Sequence, residues 1–208
     1  MDAKRARLWM GYYNDEINER VDELNRLDAA LGDGDFGASM QRGTVAVAAA
    51  LDTSDAVLPG DLFKLVGTTL VSAMGGTSGP LVGTLFLRMG IALGDAESVD
   101  VAMLAAGLRA GADGVMALGQ AAPGDKTMID GLIPAIEALE ESDGAPLSAA
   151  ASAAALAAKS GSEATRELVA RRGRASYVGG GGVGHVDPGS VGMAILFASL
   201  EQAANTDD

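Results

Sequence analysis

Residues Arg5 to Leu27 read RARLWMGYYNDEINERVDELNRL. Leu8, Tyr12, Ile17, Val21 and Leu24 recur every three to five positions, which is the period of an amphipathic helix and not the alternation of a strand. The same rule applied outward predicts further helices near 37–51, 61–74, 81–93, 98–118, 127–140, 147–172 and 189–204. Eight helices with short connections make an all-α, antiparallel, up-and-down bundle or barrel.

Some boundaries carry their own mechanism. Pro59-Gly60-Asp61 breaks one helix and can cap the next, and Asp187-Pro188 sets a carboxylate cap before a first-turn proline. Pro134 falls inside the 127–140 segment and should kink it or mark its true start. The alanine-rich run 147–160 reads as helix, because alanine has the highest helix propensity.

A chain of 208 residues suits one well-cored domain over 1–208. Aromatic residues make up only 4%, which favours helices packed closely through small residues. The formal charge of −13 leaves no broad basic surface for a nucleic acid. With no cysteine and one histidine, disulfides, iron–sulfur clusters, thiolate zinc and multi-histidine metal centres are excluded. The start lacks the apolar core of a signal peptide, and no run of about 18 apolar residues follows. A cytoplasmic protein without a membrane partner is expected.

In an up-and-down order, alternate connections lie at the same end. One set, Asp52–Gly60, Gly94–Glu97 and Glu141–Pro146, consists of ordinary acidic or Pro/Gly turns. The other set runs Asp28–Phe36, Gly75–Pro80, Gly119–Lys126 and Gly173–Asp187, and holds all the unusual residues. This sorting predicts a single polar site at one mouth of the bundle.

Asp28, Asp33 and Asp35 place three carboxylates in a glycine-rich loop, and carboxylate oxygens are ligands for hard cations. Turn and capping chemistry explains one or two such aspartates more readily than three. EF-hand frames begun at Asp28 or Asp33 end on Ser39 or Thr44, without the closing glutamate. Magnesium is the preferred ion, with two ions expected. Gly75-Gly76-Thr77-Ser78-Gly79-Pro80 runs into an apolar helix and suits an anion, with two hydroxyls and free backbone N–H groups at hand. Gly124-Asp125-Lys126-Thr127 resembles the end of a P-loop, but the upstream glycine spacing is wrong. Arg174 stands among small residues that leave its guanidinium room to reach a phosphate. His185 reads as readily as a loop-holding residue as a phosphoryl carrier, and no phosphohistidine is assigned to it.

Taken in order, several stretches resemble the nucleotide-binding L subunit or domain of dihydroxyacetone kinases. They are Leu27-Asp28 with Gly32-Asp33-Gly34-Asp35-x-Gly37, then Gly75-Gly-Thr-Ser-Gly-Pro-Leu-x-Gly-Thr84 and Gly111-Ala-Asp-Gly-Val115. Pro123-Gly-Asp-Lys-Thr-Met128, Gly173-Arg-Ala-Ser-Tyr177 and Gly184-His-x-Asp-Pro-Gly189 complete the set. The resemblance implies an antiparallel eight-helix barrel with ADP or ATP at one end. It implies that Asp28, Asp33 and Asp35 hold magnesium against the nucleotide phosphates. It further implies nucleotide contacts from Gly37, Ala38, Ser39, Thr77, Ser78, Gly119, Met128, Arg174, Asp187, Pro188 and Gly189. Phe36 departs from the histidine common at that place in the family, so any contact from that ring is lost.

By the same resemblance, a separate K-type subunit holds the small keto-sugar, and bound ADP is rephosphorylated by a phosphohistidine protein of the phosphotransferase system. Phosphoryl transfer asks for positioning and charge neutralisation more than for a nucleophile, and Arg174 is the candidate catalytic residue. The rival readings are an ATP-dependent kinase subunit for another hydroxyketone such as erythrulose, and a nucleotide-sensing module read by a transcription regulator. Oligomeric state stays open, a homodimer included.

Overall fold

In the computed structural model, which describes residues 1–206, the chain forms nine α-helices and, among those residues, no strand. They are α1 (Ala3–Glu19), α2 (Val21–Ala29), α3 (Phe36–Asp52), α4 (Pro59–Ala73), α5 (Ser78–Leu93), α6 (Val101–Gly119), α7 (Met128–Glu141), α8 (Leu147–Ala164) and α9 (Pro188–Asn205). The helix expected over 5–27 is therefore two: Arg20, at φ −111° and ψ 15°, interrupts it. Both pieces pack on α3 and α9, so together they fill one place in a ring. Each later helix packs on its successor, and α1 against α9 closes the ring, giving a barrel of eight positions.

Small residues set the spacing of this barrel. A Cβ on Gly67 of α4 would lie 2.5 Å from the Leu87 nitrogen of α5, and one on Gly60 would lie 2.2 Å from the Gly94 carbonyl oxygen. Such backbone-to-backbone approach leaves room for few large side chains, in keeping with the low aromatic content. Those present are central. Trp9 and Phe63 meet edge-on at 5.5 Å, Phe63 stacks on Phe86 at 6.2 Å, and the Trp9 indole donates to the Leu196 carbonyl at 2.8 Å. α6 is long and apolar enough to cross a membrane by length and composition alone. Here it packs between α5 and α7, with Leu104, Leu108, Ala112 and Val115 buried in the core.

Several boundaries differ from those read in the sequence. Pro59 opens α4 behind an uncapped Leu58, with Asp61 in the first turn and not at the cap. α5 starts at Ser78, three residues before the expected Leu81. Pro134 lies inside α7 and does not mark its start, which Thr127 and Asp130 fix with a capping box. A proline leaves the carbonyl four residues earlier without its helical donor. That residue is Asp130, and Gly161 of α8 comes so close that a Cβ would lie 2.2 Å from its oxygen.

The helix expected over 147–172 ends at Ala164. Residues 165–187 instead form a lid of three short 3-10 turns, Thr165–Glu167, Arg174–Tyr177 and Gly179–Gly182. Gly180, Gly181 and Gly182 all take positive φ there, a conformation that costs glycine least.

Candidate functional site

The loops before α3, α5, α7 and α9 converge on a cleft of about 550 Å³ at one mouth of the barrel, a volume typical of small-molecule sites. Asp28, Asp33, Thr77, Ser78, Gly119, Met128, Arg174, Asp187, Pro188 and Gly189 all line it. Residues from 28–36, 75–80, 119–128 and 173–189 thus meet, as the alternation of loops requires.

The aspartate loop is built around Asp28. Its carboxylate accepts the N–H of Asp35 at 2.9 Å and of Phe36 at 3.2 Å, folding the loop back on the end of α2. Gly32 permits this: a Cβ there would lie 2.6 Å from Asp28 Oδ1. The result brings ligand oxygens of Asp28, Asp33 and Asp35 within 4.8 Å of one another. The Arg174 guanidinium, on the lid, forms an ion pair with Asp33. Three converging carboxylates, two of them exposed, fit a hard divalent cation.

The other expected contacts divide. Thr77 and Ser78 face the cleft where α5 begins, and the Ser78 hydroxyl donates to the Gly75 carbonyl at 3.2 Å. Gly37, Ala38 and Ser39 do not line the cleft; they lie behind Phe36. Gly37 lets α3 press on α2, since a Cβ would lie 2.2 Å from the Val21 oxygen. The Ala38 N–H donates to Asn25 Oδ1 at 3.1 Å, and the buried Ser39 hydroxyl accepts the Gly75 N–H at 3.2 Å. These three residues hold the two loops in place from behind. Phe36 itself lines the cleft and sits against Gly192.

Sequence reading missed two features. One is the apolar wall that Leu81, Val115, Leu118 and Met193 build around Met128, which suits the flat face of a base and is invisible until the helices are packed. The other is Lys126, set aside with its P-loop-like context. It lines the cleft yet is 1% exposed, and its ammonium donates to the carbonyls of Thr165 at 2.7 Å and His185 at 2.5 Å. Burial pushes its pKa down, and the nearby Asp187 opposes this. His185 takes part here through its backbone, consistent with a loop-holding place.

Asp187 caps α9 by accepting the Ser190 N–H at 2.7 Å. Burial pushes its carboxyl up to about 7, against that hydrogen bond, with Asp130 adding to the rise, Lys126 opposing it and Asp28 adding again. Arg171 and Arg172 face Asp125 at 3.8 and 3.5 Å, beside the cleft.

A helical barrel whose mouth combines a carboxylate triad, a glycine-rich helix start and an apolar wall has the form of a site for a phosphorylated ligand carried with a divalent cation. The DAK2 domain matches residues 30–202. The ADP-binding subunit DhaL of PEP-dependent dihydroxyacetone kinase 1 from Listeria innocua is 38% identical over 97% of this chain and 96% of its own length. The corresponding Escherichia coli subunit is 38% identical over 94% of each. The crystal structure of the dihydroxyacetone kinase of C. freundii superposes with a TM-score of 0.76 at 29% identity. That match takes in 97% of this chain and 34% of the other, so the chain spans about a third of that longer protein. A second C. freundii structure, in complex with AMP-PNP and Mg2+, gives a TM-score of 0.73 at 28% identity, over 96% of this chain and 33% of that one. The chain belongs to the DAK2-domain family, among the relatives of the dihydroxyacetone kinase ADP-binding subunits.

Proposed function

We propose that this chain is the ADP-binding L subunit of a multi-subunit dihydroxyacetone kinase. The observation that carries the reading is the convergence of Asp28, Asp33 and Asp35 within 4.8 Å at the mouth of the cleft. End-to-end similarity to stand-alone ADP-binding subunits supports it. The L-erythrulose 1-kinase of Mycolicibacterium smegmatis is 37% identical, but the match covers 32% of that protein.

In this reading Asp28, Asp33 and Asp35 would hold magnesium, as two ions, beside the nucleotide phosphates. When bound, the metal supplies neutralisation of phosphate charge during transfer. Thr77, Ser78 and the start of α5 offer hydrogen-bond donors and the positive end of the helix dipole to phosphate oxygens. Gly119, Met128 and the apolar wall take the base, and the Asp187-Pro188-Gly189 turn closes the site beside α9. Arg174 brings a delocalised positive charge to the phosphates from the lid. No side chain needs to act as a nucleophile. The keto-sugar is held by a separate K-type subunit, and a phosphohistidine protein of the phosphotransferase system recharges the nucleotide. A cytoplasmic location follows from such partners.

The test is to purify the protein with magnesium, remove free nucleotide, denature it and separate what is released. About one ADP per chain is expected, because a tightly held cofactor stays bound between turnovers. Bound ATP, or an empty site that takes up ATP reversibly, would favour an ATP-dependent hydroxyketone kinase. Failure to bind either nucleotide would overturn the assignment.

A further inference from the structure

We propose that Lys126 is a positioning residue: its buried ammonium ties both feet of the 165–187 lid to the barrel and thereby sets Arg174 opposite the carboxylates. The inference rests on reading the cleft as a nucleotide site and adds to it a residue that touches no ligand.

The two carbonyls that Lys126 reaches, those of Thr165 and His185, stand at the beginning and the end of the lid. The lid is also laced to itself across the same gap. The Arg166 guanidinium donates to the Gly184 carbonyl at 2.9 Å, the Gly184 N–H to Arg166 at 2.8 Å, and the Asp187 N–H to Thr165 Oγ1 at 2.9 Å. Higher up, the Ala170 N–H donates to Gly181 at 2.9 Å. These bonds make the lid one unit but do not fix it over the cleft.

The 122–127 loop does that. Lys126 holds the feet, and the adjacent Asp125 accepts the Arg171 N–H on its carbonyl at 3.1 Å. That loop is itself braced. The Asp125 carboxylate accepts the Ala122 N–H at 3.0 Å, and the Asp130 carboxylate accepts those of Gly124 at 2.5 Å and Thr127 at 2.8 Å. Lys126 takes φ +62°, uncommon for a residue with a Cβ, and this backbone turn directs its side chain under the lid. From above, Gly182 covers the lysine: a Cβ there would lie 3.7 Å from Lys126 Cε and 2.2 Å from Leu31. Leu31, Ala170 and Ala175 form a small apolar cluster of their own. Lid, lysine and aspartate loop therefore pack as one assembly.

A phosphate-binding lysine presents its ammonium to the ligand; this one directs it at two backbone carbonyls. Its loss would leave the part-buried His185 carbonyl without its donor and the Thr165 carbonyl with the Leu168 N–H alone, a costly state that the lid relieves by moving toward water. Arg174 and Asp187 would move with it.

The experiment compares the wild type with Lys126→Met, Lys126→Arg, Arg174→Ala and the Lys126→Met/Arg174→Ala double variant. Release of a fluorescent ADP analogue is followed in magnesium, and trypsin cleavage at Arg171–Arg174 is followed without nucleotide. Lys126→Met is expected to speed both by about tenfold, with Lys126→Arg closer to the wild type. The double variant should release nucleotide no more than about twofold faster than Arg174→Ala alone, because both changes act through the same lid. Arg166→Ala, which removes an exposed tether at the same feet, should shift trypsin cleavage in the same direction if Lys126→Met does not fold.

Unchanged trypsin cleavage in both Lys126→Met and Arg166→Ala, or effects on release that multiply in the double variant, would overturn the proposal. A wild type that fails to bind the analogue would instead overturn the nucleotide reading, and trypsin cleavage would still report on the lid.

Discussion

Replacing Asp35 with asparagine removes one charge from the carboxylate cluster with almost no change in shape, and the geometry predicts effects of opposite sign on the free and the liganded protein. At separations no greater than 4.8 Å, each carboxylate pair repels by about 0.9 kcal/mol in a water-like dielectric and about 3.5 kcal/mol at an effective constant of 20. Asp35 is exposed, so the lower figure applies, and its two pairings together cost about 2 kcal/mol. Against this stands its favourable place at the N-terminus of α3, worth about 0.3–1 kcal/mol. Its side chain makes no capping hydrogen bond there. Relief of repulsion wins by about 1 kcal/mol, so the free Asp35→Asn protein should melt about 2–4 °C higher.

Magnesium and ADP reverse the order. Even outer-shell partners in metal sites are worth about 10–100-fold in affinity, so loss of a direct ligand should weaken binding by about 100-fold. At a ligand concentration about 100 times the wild-type Kd, binding stabilises the wild type by about 2.7 kcal/mol and the variant by about 0.4 kcal/mol. For a chain of this size these are shifts of about 5–11 °C and about 1–2 °C. Thermal melts with and without Mg·ADP measure both quantities. A full ligand-induced shift in the variant would refute the metal assignment. A free variant melting several degrees lower would show that Asp35 is a structural cap.

Arg174→Ala should leave the melting temperature nearly unchanged, because an ion pair with partners 66% and 42% exposed is worth about 0–1 kcal/mol. It should slow phosphoryl transfer by about 100- to 1000-fold, and an unaltered rate with saturating partner subunit would remove its role. Asp187 titrates near 7 when folded and near 3.8 when not. Between those values the folded state holds the proton and the unfolded state does not, so its contribution to stability falls as pH rises toward 7. In magnesium-free, nucleotide-free protein, the melting temperature of Asp187→Asn minus that of wild type should therefore grow from about pH 5 to about pH 8; a flat difference would contradict the raised pKa. Gly37→Ala should cost about 1–3 kcal/mol, since its Cβ would meet the Val21 carbonyl at 2.2 Å. Gly11→Ala, with nothing within 4 Å, should stabilise by about 0.5–1 kcal/mol; equal melting temperatures for the two variants would refute this account of the packing.

The alternation of plain and unusual loops is enough to bring 28–36, 75–80, 119–128 and 173–189 to one mouth, because an up-and-down barrel sorts its connections by parity whatever the exact helix ends. Local capping chemistry was legible as well: Asp187-Pro188 starts α9 as its sequence suggests. What failed were features decided by tertiary contacts. The apolar period over 5–27 does not register the break at Arg20, because α1 and α2 present their apolar faces to the same neighbours. Residues 165–172 carry helical composition, yet their backbone partners are the Asp125 loop and the far side of the lid. Lys126 fits no phosphate-loop pattern, and its partners are 39 and 59 residues away.

Four helices, α3, α5, α7 and α9, point their N-termini at the cleft, and each brings positive dipole charge and N–H groups. Three of them already have partners. Thr127 and Asp130 cap α7, Asp187 caps α9, and the first N–H groups of α3 are taken by Asp28 and Asn25. At α5, Thr77 makes no side-chain capping bond, and the Ser78 hydroxyl donates to the Gly75 carbonyl. The helix terminus least satisfied by the protein therefore shares the cleft with Asp28 and Asp33. An anion held by α5 and a cation held by the carboxylates would each answer the other's charge, which is the arrangement a magnesium-bound nucleotide phosphate demands. The carboxylates alone would repel a bare phosphate, and the α5 terminus alone would not select for a metal complex. Nucleotide binding without magnesium should accordingly be weak even where every nucleotide contact is intact.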